Sequence, residues 1–185
     1  MTSYNTYFSS HIGFIEIITS SNALIKLSFI DEASISPLTE KKISPVETTC
    51  IHQLDEYFKG NLRTFDLPIQ LEGTAFRQSV WNALQTIPFG KTTSYLQLSK
   101  QLRNVKAIRA VGTANGSNPV AIIIPCHRVI GSNGDLIGYA GELWRKKWLL
   151  HLRSYVCTWR ANIILTVAFC FIAASCVNCT KLFLL

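Results

Sequence analysis

A cysteine, a histidine and an arginine stand side by side at residues 126–128, at the end of an apolar run that begins at Ile122. Pro125, directly before the cysteine, interrupts regular secondary structure at that point. A thiol is a nucleophile as the thiolate, and a neighbouring base or positive charge lowers its pKa. Cys126 and His127 therefore have the parts of an activated sulfur nucleophile. Adjacency alone leaves one alternative open, a buried and inert cysteine beside an ordinary loop histidine.

The net charge changes sign along the chain. Residues 1–72 hold 5 Lys/Arg and 9 Asp/Glu, whereas residues 73–154 hold 11 Lys/Arg and only 2 acids. So basic a segment indicates a polyanionic partner, with DNA or RNA first, and a solvated basic face is the alternative. The length of 185 residues suits one or two small domains.

The first 72 residues have the pattern of a small α/β domain. Residues 12–18 and 23–30 are rich in β-branched and aromatic side chains, and a polar turn separates them, which predicts a hairpin. Apolar residues at helical spacing predict a helix over residues 47–59. Residues 65–71 are predicted as a further strand.

Residues 73–154 are predicted to form a second, mostly helical domain. The apolar spacing and candidate caps predict three helices, over residues 75–87, 92–102 and 105–115. Short helices joined by a tight connection suggest a helix-turn-helix, with a generic helical pair as the alternative. The segment from Lys91 to Asn118 carries five Lys/Arg and no acid, so positive charge concentrates on this element.

The end of the second domain is predicted as a turn, a loop and a helix. Residues 131–134 form the turn, and the glycine-rich loop 138–141 carries one aromatic residue, Tyr139. The helix begins near Glu142 and stacks three apolar residues at i, i+4 and i+8, which are Trp144, Trp148 and Leu152.

Five motifs follow one another along this domain: Phe89-Gly-Lys-Thr-Thr-Ser-Tyr95, Ala107-Ile-Arg-Ala-Val-Gly112, Asn118-Pro-Val120, Ile124-Pro-Cys-His-Arg-Val-Ile-Gly131 and Gly138-Tyr-Ala-Gly141. In this order they resemble the methylated-DNA–protein-cysteine methyltransferases, or O6-alkylguanine-DNA alkyltransferases, and the likeness covers residues 1–150. The resemblance implies a small ribonuclease-H-like α/β N-terminal domain. It also implies a mostly α C-terminal domain with a winged-helix-like helix-turn-helix.

The resemblance also implies an activity, DNA repair by irreversible, single-turnover alkyl transfer. Cys126 would take a methyl or larger alkyl group from O6 of guanine, and by extension from O4 of thymine, after the base flips out of the duplex. His127 would act through a water to remove the thiol proton, and Asn118 would order the segment around the cysteine. The lesion is the donor and the cysteine the acceptor, so no cofactor and no metal are expected.

Further residues are implied to contact the DNA or the flipped base. Arg109 would fill the gap left by the base, Tyr95 would rotate the phosphate, and Tyr139 would line the pocket. The other implied contacts are Ala110, Gly112, Arg128, Val129 and Ala140. Flipping costs about a few kcal/mol, and a cation inserted in the minor groove offsets it. Each of the three leading residues has an alternative: a phosphate contact for Arg109, packing for Tyr95, and core for Tyr139.

The chain departs from the family pattern after Trp148. The family continues there with a histidine and a glutamate that orients the active histidine, whereas an ungapped alignment places Arg153 at the glutamate position. A cation cannot accept the imidazole N–H, so transfer is expected to be impaired. A lesion-binding protein with impaired transfer is therefore the alternative function. A cysteine hydrolase is a weaker rival, because adjacent residues in an extended segment point apart.

Residues 155–185 form an atypical apolar tail. Residues 161–180 are uncharged, and three interpretations stay open: a membrane anchor, a partly packed apolar tail, or a displaced reading frame. Cys176 and Cys179 lack the further ligands of a zinc site. The N-terminus has no signal-peptide pattern, so we expect a cytoplasmic, DNA-associated monomer with reduced thiols. Its expected partner is double-stranded DNA that bears O6-alkylguanine, without an obligate protein partner.

Overall fold

Three antiparallel strands open the fold: β1 (Tyr4–Ser10), β2 (Gly13–Thr19) and β3 (Leu24–Ile30). The computed structural model describes residues 3–35 and 44–152. Strands β2 and β3 confirm the predicted hairpin. Helix α1 (Pro45–Phe58), predicted over residues 47–59, packs on the sheet. Strand β1 was not predicted, because its sequence, Tyr-Asn-Thr-Tyr-Phe-Ser-Ser, is half polar and lacks an aliphatic residue.

The strand predicted over residues 65–71 is wrong. This segment makes one bridge to β3, between Ile69 and Leu24, and the two hydrogen bonds around it link Leu24 to Pro68 and Gln70. Pro68 has no N–H to donate, so a continuous ladder cannot form through it. The segment instead runs along the edge of the sheet as an extended connection.

The second half of the described chain is helical, as predicted. Helices α2 (Ala75–Gln85), α3 (Tyr95–Gln101) and α4 (Ile108–Gly116) pack on one another, and a 3₁₀ turn, Val105–Ala107, leads into α4. Ser94 caps α3 in a capping box with Gln97. The short strands β4 (Thr93–Ser94) and β5 (Val129–Ile130) pair in parallel. Helix α5 occupies residues 143–152.

Strand β3 connects the sheet to the segment that carries the cysteine. Leu27 pairs with Val120, since the Leu27 N–H donates to Pro119 and its carbonyl accepts from Ala121. At the other end of the sheet, the Arg145 Nε donates to the Ile12 carbonyl at 2.7 Å. These contacts lie within one compact unit, Met1–Leu150. The sheet therefore supports the backbone that delivers the candidate nucleophile.

Candidate active site

The cysteine occupies a short 3₁₀ turn, Cys126–Arg128, directly before β5. Its side chain is almost buried, with 5% of the residue exposed. The Asn118 Nδ2 donates to the Cys126 Sγ at 3.1 Å and to the Ile124 carbonyl at 2.8 Å. The Val120 N–H donates back to the Asn118 Oδ1. Asn118 thus holds both the sulfur and the backbone that precedes the cysteine, at Val120 and Ile124.

Opposing influences set the ionisation of the thiol. Burial raises the pKa of Cys126 above its ordinary value, because the thiolate loses its hydration. The hydrogen bond from Asn118 and the positive charge of Lys146 lower that pKa, since both favour the anion. The thiolate therefore depends on these two side chains.

His127, the neighbour of the cysteine, is fully buried with 1% of the residue exposed. Burial lowers its pKa well below the ordinary value, and the positive charges of Arg128 and Lys146 lower it further. His127 is therefore a neutral imidazole at pH 7. Its Nδ1 atom has no hydrogen-bond partner among residues 3–35 and 44–152. Arg153, at the position of the family's glutamate, lies outside these residues.

Lys146 is a site residue that sequence reasoning missed. Its side chain is fully buried, and its Nζ donates to the carbonyls of Ile137 at 2.7 Å and Gly138 at 3.2 Å. Burial lowers the pKa of Lys146 to about 8. Lys146 and Leu149 are three residues apart on α5, and both are buried. This helical spacing was the sequence signal that could have placed Lys146 on the buried face. The predicted apolar stack pointed instead to Trp144, which is 50% exposed.

A pocket of about 580 Å³ opens between α3, α4 and the loop before α5. Four predicted base-contacting residues line it, namely Tyr95, Gly112, Tyr139 and Ala140. The Tyr95 hydroxyl donates to the Ile137 carbonyl at 3.3 Å, which ties α3 to this loop. A second cavity, of about 60 Å³, is lined by Cys126 and shares Asn115, Gly116, Tyr139 and Ala140 with the first. The predicted base pocket and the thiol thus adjoin.

The helix-turn-helix presents an exposed basic surface beside the pocket. Arg109 and Ala110 are exposed near the start of α4. Other exposed cations lie on the same stretch of chain, and they are Lys91, Lys100, Arg103 and Lys106. No acid occurs between Lys91 and Asn118, so an anionic partner meets an uninterrupted positive segment.

Two predicted DNA contacts lie away from the pocket. Arg128 is buried, donates to the Ile87 carbonyl at 2.7 Å, and places its guanidinium 5.6 Å from the centre of the Phe89 ring. Val129 is fully buried in β5. These positions give both side chains structural contacts in the core. The resemblance implied that backbone groups near Val129 read the guanine edge, and that contact stays a prediction.

Comparison with known proteins gives the family. The chain matches the family model of the 6-O-methylguanine DNA methyltransferase ribonuclease-like domain over residues 3–71 and that of the DNA binding domain over residues 75–154. A methylated-DNA–protein-cysteine methyltransferase from Mycolicibacterium paratuberculosis is 42% identical over 153 residues, 82% of this chain and 92% of the relative. The chain belongs to this methyltransferase family. A relative from Methanosarcina acetivorans is 55% identical over 102 residues, which span 55% of this chain and 65% of the relative.

Solved structures of methyltransferases share the fold. The crystal structure of Mycobacterium tuberculosis O6-methylguanine methyltransferase is 41% identical, covers 82% of this chain and 92% of its own, and has a TM-score of 0.73. The M. tuberculosis OGT in complex with DNA is 42% identical, covers 79% of this chain and 89% of its own, and has a TM-score of 0.72. The predicted fold class, a ribonuclease-like domain and a helical DNA-binding domain, is confirmed.

The apolar tail predicted over residues 155–185 lies outside the described residues, together with its Cys176–Cys179 pair. Within the described ranges, no helix has the length and apolar character of a membrane span. The same ranges contain no cluster of three or more His, Cys, Asp or Glu that could hold a metal ion.

Proposed function

We propose that this protein repairs DNA by moving an alkyl group from O6 of guanine in a duplex to Cys126, irreversibly and once per molecule. The observation that carries this proposal is that the small cavity lined by Cys126 shares four wall residues with the large pocket beside α3 and α4. A family relative has been solved in complex with DNA, which supports DNA as the partner. Double-stranded DNA with O6-alkylguanine is thus the proposed substrate of this chain.

The transfer is a displacement at the alkyl carbon. The Cys126 thiolate donates an electron pair to that carbon, the carbon–O6 bond breaks, and its electrons return to the purine. The thiol proton leaves toward His127, through a water, and guanine regains a proton at N1. Neutral His127 is in the form that accepts a proton, and Asn118 aligns the sulfur at 3.1 Å. No step requires a cofactor.

Access to O6 requires the base to leave the stack. The cost of about a few kcal/mol is smallest for a mispaired lesion, which supplies part of the selectivity. Exposed Arg109 enters the minor groove and occupies the vacated space, while Tyr95 and Tyr139 enclose the flipped base. Gly112 lies beside Tyr95 in the pocket wall.

The proposal is tested by incubating the protein with duplex DNA that contains O6-methylguanine, and measuring the remaining lesion by nucleoside chromatography. One lesion should disappear per protein molecule, and further incubation should remove no more. Cys126→Ala should remove none. Continued turnover beyond one equivalent would contradict single use of Cys126. Transfer from O4-methylthymine, a cytoplasmic location and a monomeric state stay predictions.

A second candidate is a protein that binds the lesion and transfers slowly or not at all. The observation in its favour is the buried His127 Nδ1, which has no partner in the described part of the chain. Without a carboxylate on that nitrogen, the imidazolium that forms during proton removal is less stabilised. Tight binding of the lesion duplex without loss of methyl would favour this candidate. Arg153→Glu should then accelerate transfer.

A further inference from the structure

The small cavity beside Cys126 is lined by both halves of the chain. Cys126 and Asn118 line it from the active-site segment, and Phe29 lines it from strand β3 of the N-terminal sheet. Tyr139 belongs to the walls of both this cavity and the large pocket. A purine in the large pocket with its O6 toward sulfur therefore directs its alkyl substituent into the small cavity.

The size of this cavity suits a short alkyl group. Its volume is about 60 Å³, compared with about 580 Å³ for the large pocket. About 10–15 Å³ of such space holds one water-sized group, so a methyl group and a few further carbons can enter. The walls of the cavity consequently limit the length of a chain attached to O6.

Phe29 is the aromatic residue that β3 contributes to these walls, and its ring is fixed on several sides. It meets the Tyr139 ring edge-on, with 6.4 Å between ring centres, and the Arg145 guanidinium lies 4.9 Å from its centre. A Cβ at Gly141 would lie 2.6 Å from the Phe29 ring. Only a glycine at position 141 allows the ring to come so close, so this loop packs directly against the Phe29 ring.

The backbone beneath this ring is fixed as well. Two residues before Phe29, Leu27 forms its two hydrogen bonds with Pro119 and Ala121, at 2.9 and 2.8 Å. The same short segment continues from Ala121 to Pro125 and Cys126. Strand β3 and the sulfur are therefore held in register, and the distance between this wall and the nucleophile is set by direct backbone bonds.

We propose that Phe29, a residue of the N-terminal sheet, sets the upper size of the alkyl group that Cys126 accepts. This inference rests on the proposed function, since it assigns the small cavity to the group being transferred. The bond changes are unchanged: the carbon–O6 bond breaks and the sulfur–carbon bond forms. Phe29 borders the cavity and takes no part in the bond changes, so its effect is on the discrimination between longer and shorter groups.

The experiment compares single-turnover rates on duplexes that contain O6-methyl-, O6-ethyl- or O6-butylguanine. One added or removed methylene in an apolar pocket changes discrimination by about 10- to 200-fold. Phe29→Leu should therefore raise the butyl-to-methyl rate ratio by about tenfold or more. Phe8→Leu is the matched control, because Phe8 stacks on Phe58 from the same sheet and does not line the cavity.

Thermal melting of each variant checks that it is folded. If Phe29→Leu does not fold, Phe29→Met carries the same expectation, because methionine adapts to irregular packing. Equal rate changes for methyl, ethyl and butyl in Phe29→Leu would overturn the role of Phe29. The same increase of the butyl-to-methyl ratio in Phe8→Leu would overturn it too. Neither outcome would contradict the proposed function. If the unchanged protein transferred none of the three groups, the proposed function would fail and this inference with it.

Discussion

The thiol site and the helix-turn-helix surface adjoin each other and have opposite solvent exposure. Cys126, His127 and Lys146 are buried, whereas Arg109 and the cations near it are exposed. Burial withdraws water from the reacting sulfur and makes each neighbouring dipole and charge more effective. Exposure lets the cations meet phosphates and displace counterions. The proposed alkyl transfer and DNA binding are therefore assigned to different residues, and substitutions should separate them.

The largest difference between duplex repair and reaction with a free base is expected for a substitution of Arg109. Arg109→Ala should slow repair of lesion-bearing duplex by about 10- to 100-fold, since base flipping costs about a few kcal/mol and each tenfold in rate is about 1.4 kcal/mol. Reaction with the free base O6-methylguanine should stay nearly unchanged, because a free base needs no flipping. Single-turnover kinetics with both substrates measures the difference.

Lys100→Ala is the control for Arg109, as it removes an exposed cation of α3 that does not line the pocket. It should weaken binding to damaged and undamaged duplex alike, with a smaller salt dependence. A loss in Arg109→Ala that is equal for duplex and free base, or equal for damaged and undamaged binding, would leave Arg109 as a phosphate contact.

A smaller effect is expected at Lys146, and it concerns the buried side of the comparison. Lys146→Met removes the positive charge that lowers the pKa of Cys126 and leaves the carbonyls of Ile137 and Gly138 without their donor. Alkylation of Cys126 by iodoacetamide at pH 7 should slow by about tenfold, which is about one pKa unit. The pH at which the alkylation rate rises should also be higher in the variant.

Lys147→Met, the neighbouring exposed substitution, is the control for Lys146 and should leave that reactivity unchanged. Iodoacetamide reacts with the thiol in the absence of DNA, so this measurement is independent of DNA binding. An identical pH profile in Lys146→Met and the original protein would show that the field of Lys146 does not reach the sulfur.

The smallest effect is expected in the stability of the fold at acid pH. The pKa of His127 is lowered well below the ordinary value by burial, so unfolding takes up a proton as the pH falls below about 6.5. Above that pH, the contribution of His127 to the free energy of unfolding is at its full value. It should fall by at most about 1.4 kcal/mol per pH unit below it.

His127→Gln should flatten this acid slope in urea unfolding measured from pH 7 to pH 5, and His52→Gln, at an exposed position, should not. A slope unchanged by His127→Gln would mean that the imidazole is not held neutral. Loss of transfer in the same variant belongs to the site's chemistry and is measured separately.

The exposed half of the site could be predicted largely from the sequence, and the buried half only in part. Ser94 and the apolar spacing of α3 and α4 are local signals, so the helix-turn-helix and its cations follow from neighbours in sequence. Cys126 and Asn118 followed from the motif resemblance. Lys146 stands between two other basic residues, so its three-residue spacing from Leu149 was a weak signal of burial.

Long-range contacts account for what sequence reasoning missed. Phe29 enters the site because β3 pairs with a segment some ninety residues further along the chain, through Leu27 and Val120. No periodicity in either segment encodes that pairing. Arg128, which the resemblance implied as a DNA contact, turns its side chain into the core toward Ile87, and the local sequence does not encode that contact.

The central claim is that the Cys126 sulfur accepts the alkyl carbon from a flipped guanine. Intact-mass spectrometry after incubation with duplex DNA bearing O6-methylguanine, followed by peptide mapping, tests it directly. We predict a gain of one CH₂ per molecule, on the peptide that contains Cys126, and no gain in Cys126→Ala. An unchanged mass with full lesion binding, or a gain that persists in Cys126→Ala, would contradict it.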